Sequence, residues 1–335
     1  MAVTRQNIMT GDDALNDYVE GVRALKAAPS GITTGQFGLS GEDRPINVYD
    51  SFVLWHIFAA DEGIPPGTPP GLRNSAHKSP TFLPWHRYFL ITLETEITKA
   101  LDRPFALPYW DWAADADDGA PQFASIWTNE MLGGDGDPVT SGPFQEGLFS
   151  IFLETGPDDR PLAHDGRALR RRFDDSDLPA LPTSSDVWDM ISGTSTYDAF
   201  PYSVDTTDGF RGEAEGSVPA DGNRRMHNLL HHWIGGDMIP TSSPNDPVFF
   251  LLHCNIDRIW ERWMMQAQGR IYAPEQSAPD GLAGIRPLDE LYGSPAGLGQ
   301  PDTIGRMLDM TMFYDYDRLP QPQTATASRH NSTPS

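Results

Sequence analysis

The stretch SPNDPVFFLLHCNIDRIWERW, residues 243–263, decides how this chain folds. Pro247 stands where a helix would begin, and the apolar positions 249, 250, 252, 256, 260 and 263 recur at roughly helical spacing. We therefore predict a helix over 247–267 that carries His253. Asp257 follows His253 by one helical turn, so we expect its carboxylate to accept a hydrogen bond from that imidazole if His253 binds a metal.

The segment MHNLLHHW, residues 226–233, supplies two more histidines. His227 and His231 are four residues apart, which places them one turn above each other on one helix face, where both can bind one ion. His232 would point about 100° away from His231, so it cannot share that ion. A role at the rim of the site or in support of a ligand is the less favoured of the alternatives for this residue. The second half of the chain therefore offers His227, His231 and His253 as one set of ligands.

The first half of the chain holds a similar set. His56 falls in the apolar helical run VYDSFVLWHIFAA, residues 48–60. His77 lies in a stretch that Pro80 and Pro84 mark as a loop, and His86 opens the next helix, HRYFLITLETEITKAL. Neutral imidazole suits copper, zinc, iron and nickel, and three nitrogens per ion leave positions open for a small molecule. The two sets predict a paired, reactive metal centre, although histidines at this spacing are common by chance.

Two longer motifs narrow the choice of metal. HKSPTFLPWHRYFLITLE, residues 77–94, resembles the first copper signature of the tyrosinase family, and DPVFFLLHCNID, residues 246–257, resembles the second. LPYWDW, residues 107–112, is similar to a core segment of that family, and YDY, residues 314–316, is similar to the tyrosine motif that closes its catalytic domain. The resemblance spans about residues 45–317.

The resemblance implies a type 3 copper centre, in which two copper ions bind O2 between them and each is held by three histidines. By carry-over, one copper is held by His56, His77 and His86, and the other by His227, His231 and His253. The chemistry agrees, because two one-electron metals at close range can reduce O2 and oxidise a two-electron substrate without releasing radicals.

The implied activity is the oxidation of o-diphenols to o-quinones by O2, together with hydroxylation of monophenols. Asn228 and an upstream glutamate would hold a water that deprotonates incoming monophenols, with Glu215 the first candidate and Glu213 the next. A phenol of pKa about 10 must lose its proton before it binds copper. The main alternative is a catechol or o-aminophenol oxidase without hydroxylation.

Two remoter alternatives use the same histidines. An oxygen carrier of the haemocyanin type needs a separate segment that covers the metals, and we find none of sufficient length. A dizinc hydrolase is disfavoured because such sites normally include carboxylate ligands.

The chain departs from the family pattern at two positions. Many bacterial members have a second histidine just before the third ligand of the second copper, where this chain has Leu252. Fungal and plant members have a cysteine two residues before the second ligand of the first copper, joined to a histidine by a thioether, where this chain has Ser75. We therefore expect no crosslink, with His77 held by packing alone.

The expected fold is mainly α, with a helical bundle core that holds the dicopper site, long loops and few short strands. Helical patterns run near 11–27, 47–60, 84–100, 224–234 and 247–267, whereas 115–222 is rich in Gly, Pro, Asp and Ser. The candidate ligands lie between positions 56 and 253, so both halves must converge on one core, and we predict a single domain over 1–320. The polar tail, 321–335, is predicted to be disordered.

Charge and composition limit the partners. The net charge of −23 argues against nucleic acid and anionic membranes, and no apolar run reaches the roughly 18 to 20 residues that a membrane span needs. Small phenols are neutral and remain the expected substrates. The N-terminus lacks an apolar signal core, so the cytoplasm is the default location, with export beside a carrier as the alternative. A copper-delivery protein of the caddie type is left open as a partner.

Overall fold

A computed structural model of the protein describes residues 3–11, 13–39, 41–173, 180–206, 208–216, 225–266, 271–278 and 281–322. Helices carry most of the regular structure in these ranges. They run over α1 (Ala14–Ala27), α2 (Val48–Asp61), α3 (Phe82–Leu101), α4 (Trp112–Asp117), α5 (Ser184–Gly193), α6 (Phe210–Glu215), α7 (Met226–Ile234), α8 (Val248–Gln266) and α9 (Ile304–Met307). The strands are β1 (Val3–Arg5), β2 (Pro29–Thr33), β3 (Pro45–Asn47), β4 (Ile151–Thr155), β5 (Pro161–Arg167) and β6 (Tyr314–Tyr316).

The core is a bundle in which α3 packs against α1 and α8, and α1 also packs against α2. Contacts between aromatic rings join three of these helices. Phe52 of α2 meets Phe89 of α3 edge to face at 5.3 Å, and Phe89 stacks on Phe250 of α8 at 5.7 Å. Such pairs add to the free energy gained from burying apolar surface. The predicted mainly α bundle with few short strands is confirmed.

The start of α3 differs from the prediction. Pro84 was expected at the boundary between the loop and this helix, but α3 begins at Phe82 and Pro84 lies within its first turn. A proline is tolerated there because the first backbone N–H groups of a helix have no partner inside it. The backbone N–H of Trp85 donates to the carbonyl of Thr81 at 2.8 Å. His86 therefore sits one turn into a rigid helix rather than at its first position.

Short strands close the outside of the bundle. β1 pairs in parallel with β6, so that Arg5 lies opposite Tyr316, and β2 pairs antiparallel with β3. β4 and β5 form an antiparallel hairpin within the region expected to be loop-rich. None of the described helices is both long and apolar enough to cross a membrane. The single domain over 1–320 stays a prediction, and the predicted tail lies outside the described residues from position 323 onward.

Candidate metal centre

The first histidine set comes together from α2, a loop and α3. The ligand nitrogens of His56, His77 and His86 all lie within 4.8 Å of one another. Nδ1 of His56 donates to the carbonyl of Thr241 at 2.5 Å, and Nδ1 of His86 donates to the carbonyl of Phe82 at 2.8 Å. A carbonyl can only accept, so Nδ1 carries the proton in both rings and Nε2 keeps its lone pair.

The two Nε2 atoms have the environment of metal ligands. Nε2 of His56 and Nε2 of His86 are buried and have no hydrogen-bond partner among the described residues. Buried polar atoms nearly always have a hydrogen-bond partner. Two adjacent imidazoles that each keep an unpaired lone pair therefore indicate that both nitrogens bind a metal ion. The donor set fits a copper ion, for which imidazole nitrogen is a suitable ligand.

The second set lies on α7 and α8. The ligand nitrogens of His227, His231 and His253 are also within 4.8 Å of one another. Nε2 of His253 is 3.1 Å from Nε2 of His227 and 3.4 Å from Nε2 of His231. Nδ1 of His231 donates to the carbonyl of Met238 at 2.6 Å, which leaves its Nε2 as an acceptor. The three Nε2 atoms therefore converge on one point, as a shared cation requires.

Asn228 fixes the orientation of His227. Its Nδ2 donates to the carbonyl of Gly216 at 3.0 Å, so its Oδ1 faces Nδ1 of His227, also at 3.0 Å. The amide oxygen can only accept, and the imidazole therefore donates from Nδ1 and directs its Nε2 lone pair towards the centre.

The two sets face each other. The rings of His86 and His253 stack with centroids 4.1 Å apart and planes inclined by 13°, and the rings of His77 and His227 lie 6.0 Å apart. One ion in each set would therefore sit beside the other, as in a dinuclear centre.

Burial keeps the six imidazoles neutral at physiological pH. It lowers the pKa of His56 to about 3 and that of His231 to about 4, with the neighbouring histidines adding to the effect. The pKa values of the other four histidines are also well below the ordinary value, for the same two reasons, in His77, His86, His227 and His253. Neutral imidazole is the form that binds metal, so these side chains are suited to be ligands rather than general bases.

The loop that carries His77 is held by more than packing. Because Ser75 replaces the cysteine of the crosslink, we expected the ring of His77 to be held by packing. The ring does pack edge to face against that of His56, with centroids 5.0 Å apart. However, Oδ1 of Asn74 accepts from the backbone N–H of His77 at 2.7 Å, and Oε1 of Glu215 accepts from the backbone N–H of Lys78 at 2.7 Å. The prediction that packing alone holds His77 is therefore wrong, because hydrogen bonds fix its backbone on both sides.

Glu215 and Asn228 approach each other at the end of α6. Glu215 is buried, and its Oε2 accepts from Arg211 at 2.9 Å. Asn228 is bonded to Gly216, the residue after Glu215. Glu213 is only half-buried, and burial raises its pKa. Of the two glutamates predicted as candidates, Glu215 has the closer link to the histidine loop.

Asp257 does not orient His253, which corrects the prediction from its spacing. Its carboxylate accepts from Arg87 at 2.6 Å, from Tyr316 at 2.6 Å and from Tyr314, while Nδ1 of His253 has no hydrogen-bond partner among the described residues. Burial opposes ionisation of Asp257, but nearby guanidinium groups outweigh it and lower its pKa. The carboxylate turns towards the stronger donors, because hydrogen bonds from charged groups are roughly twice as strong as neutral ones.

A cavity of about 370 Å³ leads from the surface to the histidines. Four of the six line it, namely His56, His77, His227 and His231. Its wall includes Ile239, Pro240, Thr241 and Ser243 from the loop after α7, and His232 also lines it. The centre is thus accessible to a small ring-shaped molecule.

Comparisons with known proteins agree with this geometry. Residues 46–266 match the family model for the common central domain of tyrosinase. The chain is 35% identical over 276 residues to a tyrosinase from Streptomyces glaucescens, covering 80% of this chain and 88% of the relative. It is 32% identical over 296 residues to grixazone synthase from Streptomyces griseus, covering 81% and 90%.

Solved structures show the same fold. A polyphenol oxidase variant from Thermothelomyces thermophila superposes with a TM-score of 0.66 at 22% identity, covering 94% of this chain and 88% of the other. The chain therefore belongs to the tyrosinase family. It is a copper-dependent polyphenol oxidase, and its two histidine sets fit a dinuclear copper centre.

Proposed function

We propose that His56, His77 and His86 hold one copper ion, that His227, His231 and His253 hold the other, and that the enzyme oxidises o-diphenols to o-quinones. Two diphenols would lose two electrons and two protons each while O2 is reduced to two molecules of water. The convergence of the ligand nitrogens in two facing sets carries this proposal. When bound, the copper pair supplies the site that binds O2 and accepts the electrons of the substrate.

The protein positions the ring and keeps the ligands aligned. Carbonyls of Thr241 and Met238 hold the rings of His56 and His231 through Nδ1. Such partners fix the tautomer and aim of a ligand and raise its basicity. Thr241 also lines the cavity, so one loop both orients a ligand and shapes the substrate site.

Monophenol hydroxylation is the second part of the proposal. The proposed copper ions would occupy the free lone pairs of the six imidazoles, so another group must take the phenolic proton. Glu215 and Asn228 are suited to hold a water for this purpose. Among the described residues, each carboxylate oxygen of Glu215 accepts one hydrogen bond, and a carboxylate oxygen can accept more than one.

An oxidase without monophenol activity is the competing function. One relative, at 32% identity, is named grixazone synthase rather than tyrosinase, so similarity to the family does not by itself assign monophenol hydroxylation. The open cavity favours either enzyme over an oxygen carrier, because it gives a substrate direct access to four of the histidines.

A substrate panel separates these functions. Copper-loaded protein would be assayed with a phenol, the matching catechol and the matching o-aminophenol, with a trace of catechol to prime the monophenol reaction. We expect fast catechol oxidation and slower phenol hydroxylation. Absence of product from every monophenol would rule out the proposed hydroxylation and would support an oxidase without monophenol activity.

We also propose that a caddie-type partner delivers copper to the protein and that the protein is located in the cytoplasm. Delivery is supported by the burial of the ligands, since His56, His86 and His253 are each at most 3% exposed. Rapid and complete copper uptake by the isolated metal-free protein would show that no partner is needed. Cell fractionation tests the location, and recovery outside the cytoplasm would favour export with a carrier.

A further inference from the structure

Three charged side chains stand at the mouth of the cavity. Asp61, at the end of α2, and Asp159, in the turn between β4 and β5, line it and are exposed to solvent. Lys78 also lines the cavity, and its one positive charge opposes the two negative charges of the carboxylates. Among the residues that the structure describes, no basic side chain forms an ion pair with either carboxylate.

The position of these groups determines which part of a substrate they meet. The phenolic oxygen must reach the histidines at the bottom of the cavity. A substituent on the opposite side of the ring therefore points back towards the mouth, where Asp61 and Asp159 lie. The charge of that substituent, rather than the ring, is exposed to the two carboxylates.

We propose that Asp61 and Asp159 make this enzyme select phenols and catechols whose ring substituent is positively charged, such as a protonated aminoethyl chain, over those that carry a carboxylate. The inference rests on the proposed function for the chemistry at the histidines. Among the side chains that line this cavity, the two carboxylates exceed the single charge of Lys78, and the net charge of −23 on the whole chain acts in the same direction. Arg160 lies beside the same two carboxylates in an adjoining cavity and does not line this one. At separations of several ångströms in water, each charge changes the relative affinity by about threefold.

The test compares three catechols that differ in charge. Dopamine is cationic, 4-methylcatechol is neutral and 3-(3,4-dihydroxyphenyl)propionate is anionic at neutral pH. For the wild-type enzyme we expect kcat/KM to fall in that order. In the double variant Asp61→Asn, Asp159→Asn the ratio of kcat/KM for dopamine to that for 4-methylcatechol should fall by about tenfold. Salt near 1 M, where the screening length is about 3 Å, should reduce the same ratio in the wild type.

Matched variants separate local charge from global charge. Asp158→Asn changes the same turn at a residue that does not line the cavity, and Glu130→Gln removes one exposed negative charge elsewhere. Both should keep the wild-type ratio. Lys78→Gln should raise it, since it removes the opposing charge. The same ratio in the wild type and the double variant would overturn the inference.

Failure of the proposed function would look different. If the wild-type enzyme did not oxidise 4-methylcatechol at all, the chemistry rather than the charge selection would be wrong. Calorimetric binding of phenethylamine and of 3-phenylpropionate, neither of which is a phenol, then decides the charge preference. Tighter binding of the amine, lost in the double variant, supports it, and equal binding of both compounds contradicts it.

Discussion

The backbone N–H of Lys78 donates to Oε1 of Glu215 at 2.7 Å, and this bond joins the residue after His77 to the end of α6. The other oxygen of Glu215 accepts from Arg211 at 2.9 Å, and Arg211 is in turn held by both carboxylate oxygens of Asp198. Glu215 is therefore part of the scaffold of the first histidine set as well as the proposed holder of a water.

Two substitutions of Glu215 should separate these roles. Glu215→Gln keeps an oxygen that can accept from Lys78 but removes the negative charge. We expect it to retain two copper ions and to lose about 10²-fold in monophenol turnover relative to catechol turnover. Glu215→Ala also leaves the half-buried N–H of Lys78 without its acceptor, so we expect copper to be lost from the first site.

Copper analysis and paired assays on the two Glu215 variants provide the check, with Glu213→Gln as the matched control. Equal losses on phenol and catechol in Glu215→Gln would show that the water-holding role is absent. Full copper content in Glu215→Ala would show that the bond to Lys78 does not support His77.

Asp257→Asn should destabilise the protein by about 3 kcal/mol or more, since it weakens the pairing of two buried guanidinium groups. Asp257 accepts from Arg87 at 2.6 Å and from Arg5 at 3.4 Å, and both arginine side chains are fully buried. Urea unfolding measures the loss. Lys99→Met, which breaks an exposed pair with Glu96, should cost less than about 1 kcal/mol. Similar small losses in both variants would contradict the structural role of Asp257.

Cys254 should be inert towards thiol reagents in the native protein. Burial raises the pKa of its thiol to about 12, and the side chain is fully buried beside the carbonyl of Leu107. The thiolate is the reactive form, so at pH 8 we expect almost no labelling before unfolding and one thiol per chain after it. Fast labelling of the folded protein would show that α8 is more open than described.

Local sequence pattern was sufficient to predict the elements that carry the ligands. The spacing of His227 and His231 and the apolar repeat after Pro247 both follow from helical geometry within a single segment. These patterns predicted α7 and α8 to within a few residues, and they predicted which histidines share a face.

Contacts between distant segments were not predictable in this way. The carbonyl partner of His56 comes from Thr241, 185 positions away, and any residue type could supply that carbonyl. The spacing of Asp257 correctly placed it one turn from His253, but the direction of its carboxylate depends on Arg5 and Tyr316 at the two ends of the chain. Only the folded structure brings those donors to α8.

Copper content of single-ligand variants tests the central claim most directly. We expect two copper ions per chain in the loaded wild-type protein and one in each of His86→Ala and His231→Ala, because each change removes a ligand from a different set. Both variants should also fail to consume O2 with catechol, since oxidation requires the pair. Two coppers retained in either variant, or O2 consumption at the wild-type rate, would contradict the assignment of the six histidines to a dinuclear copper centre.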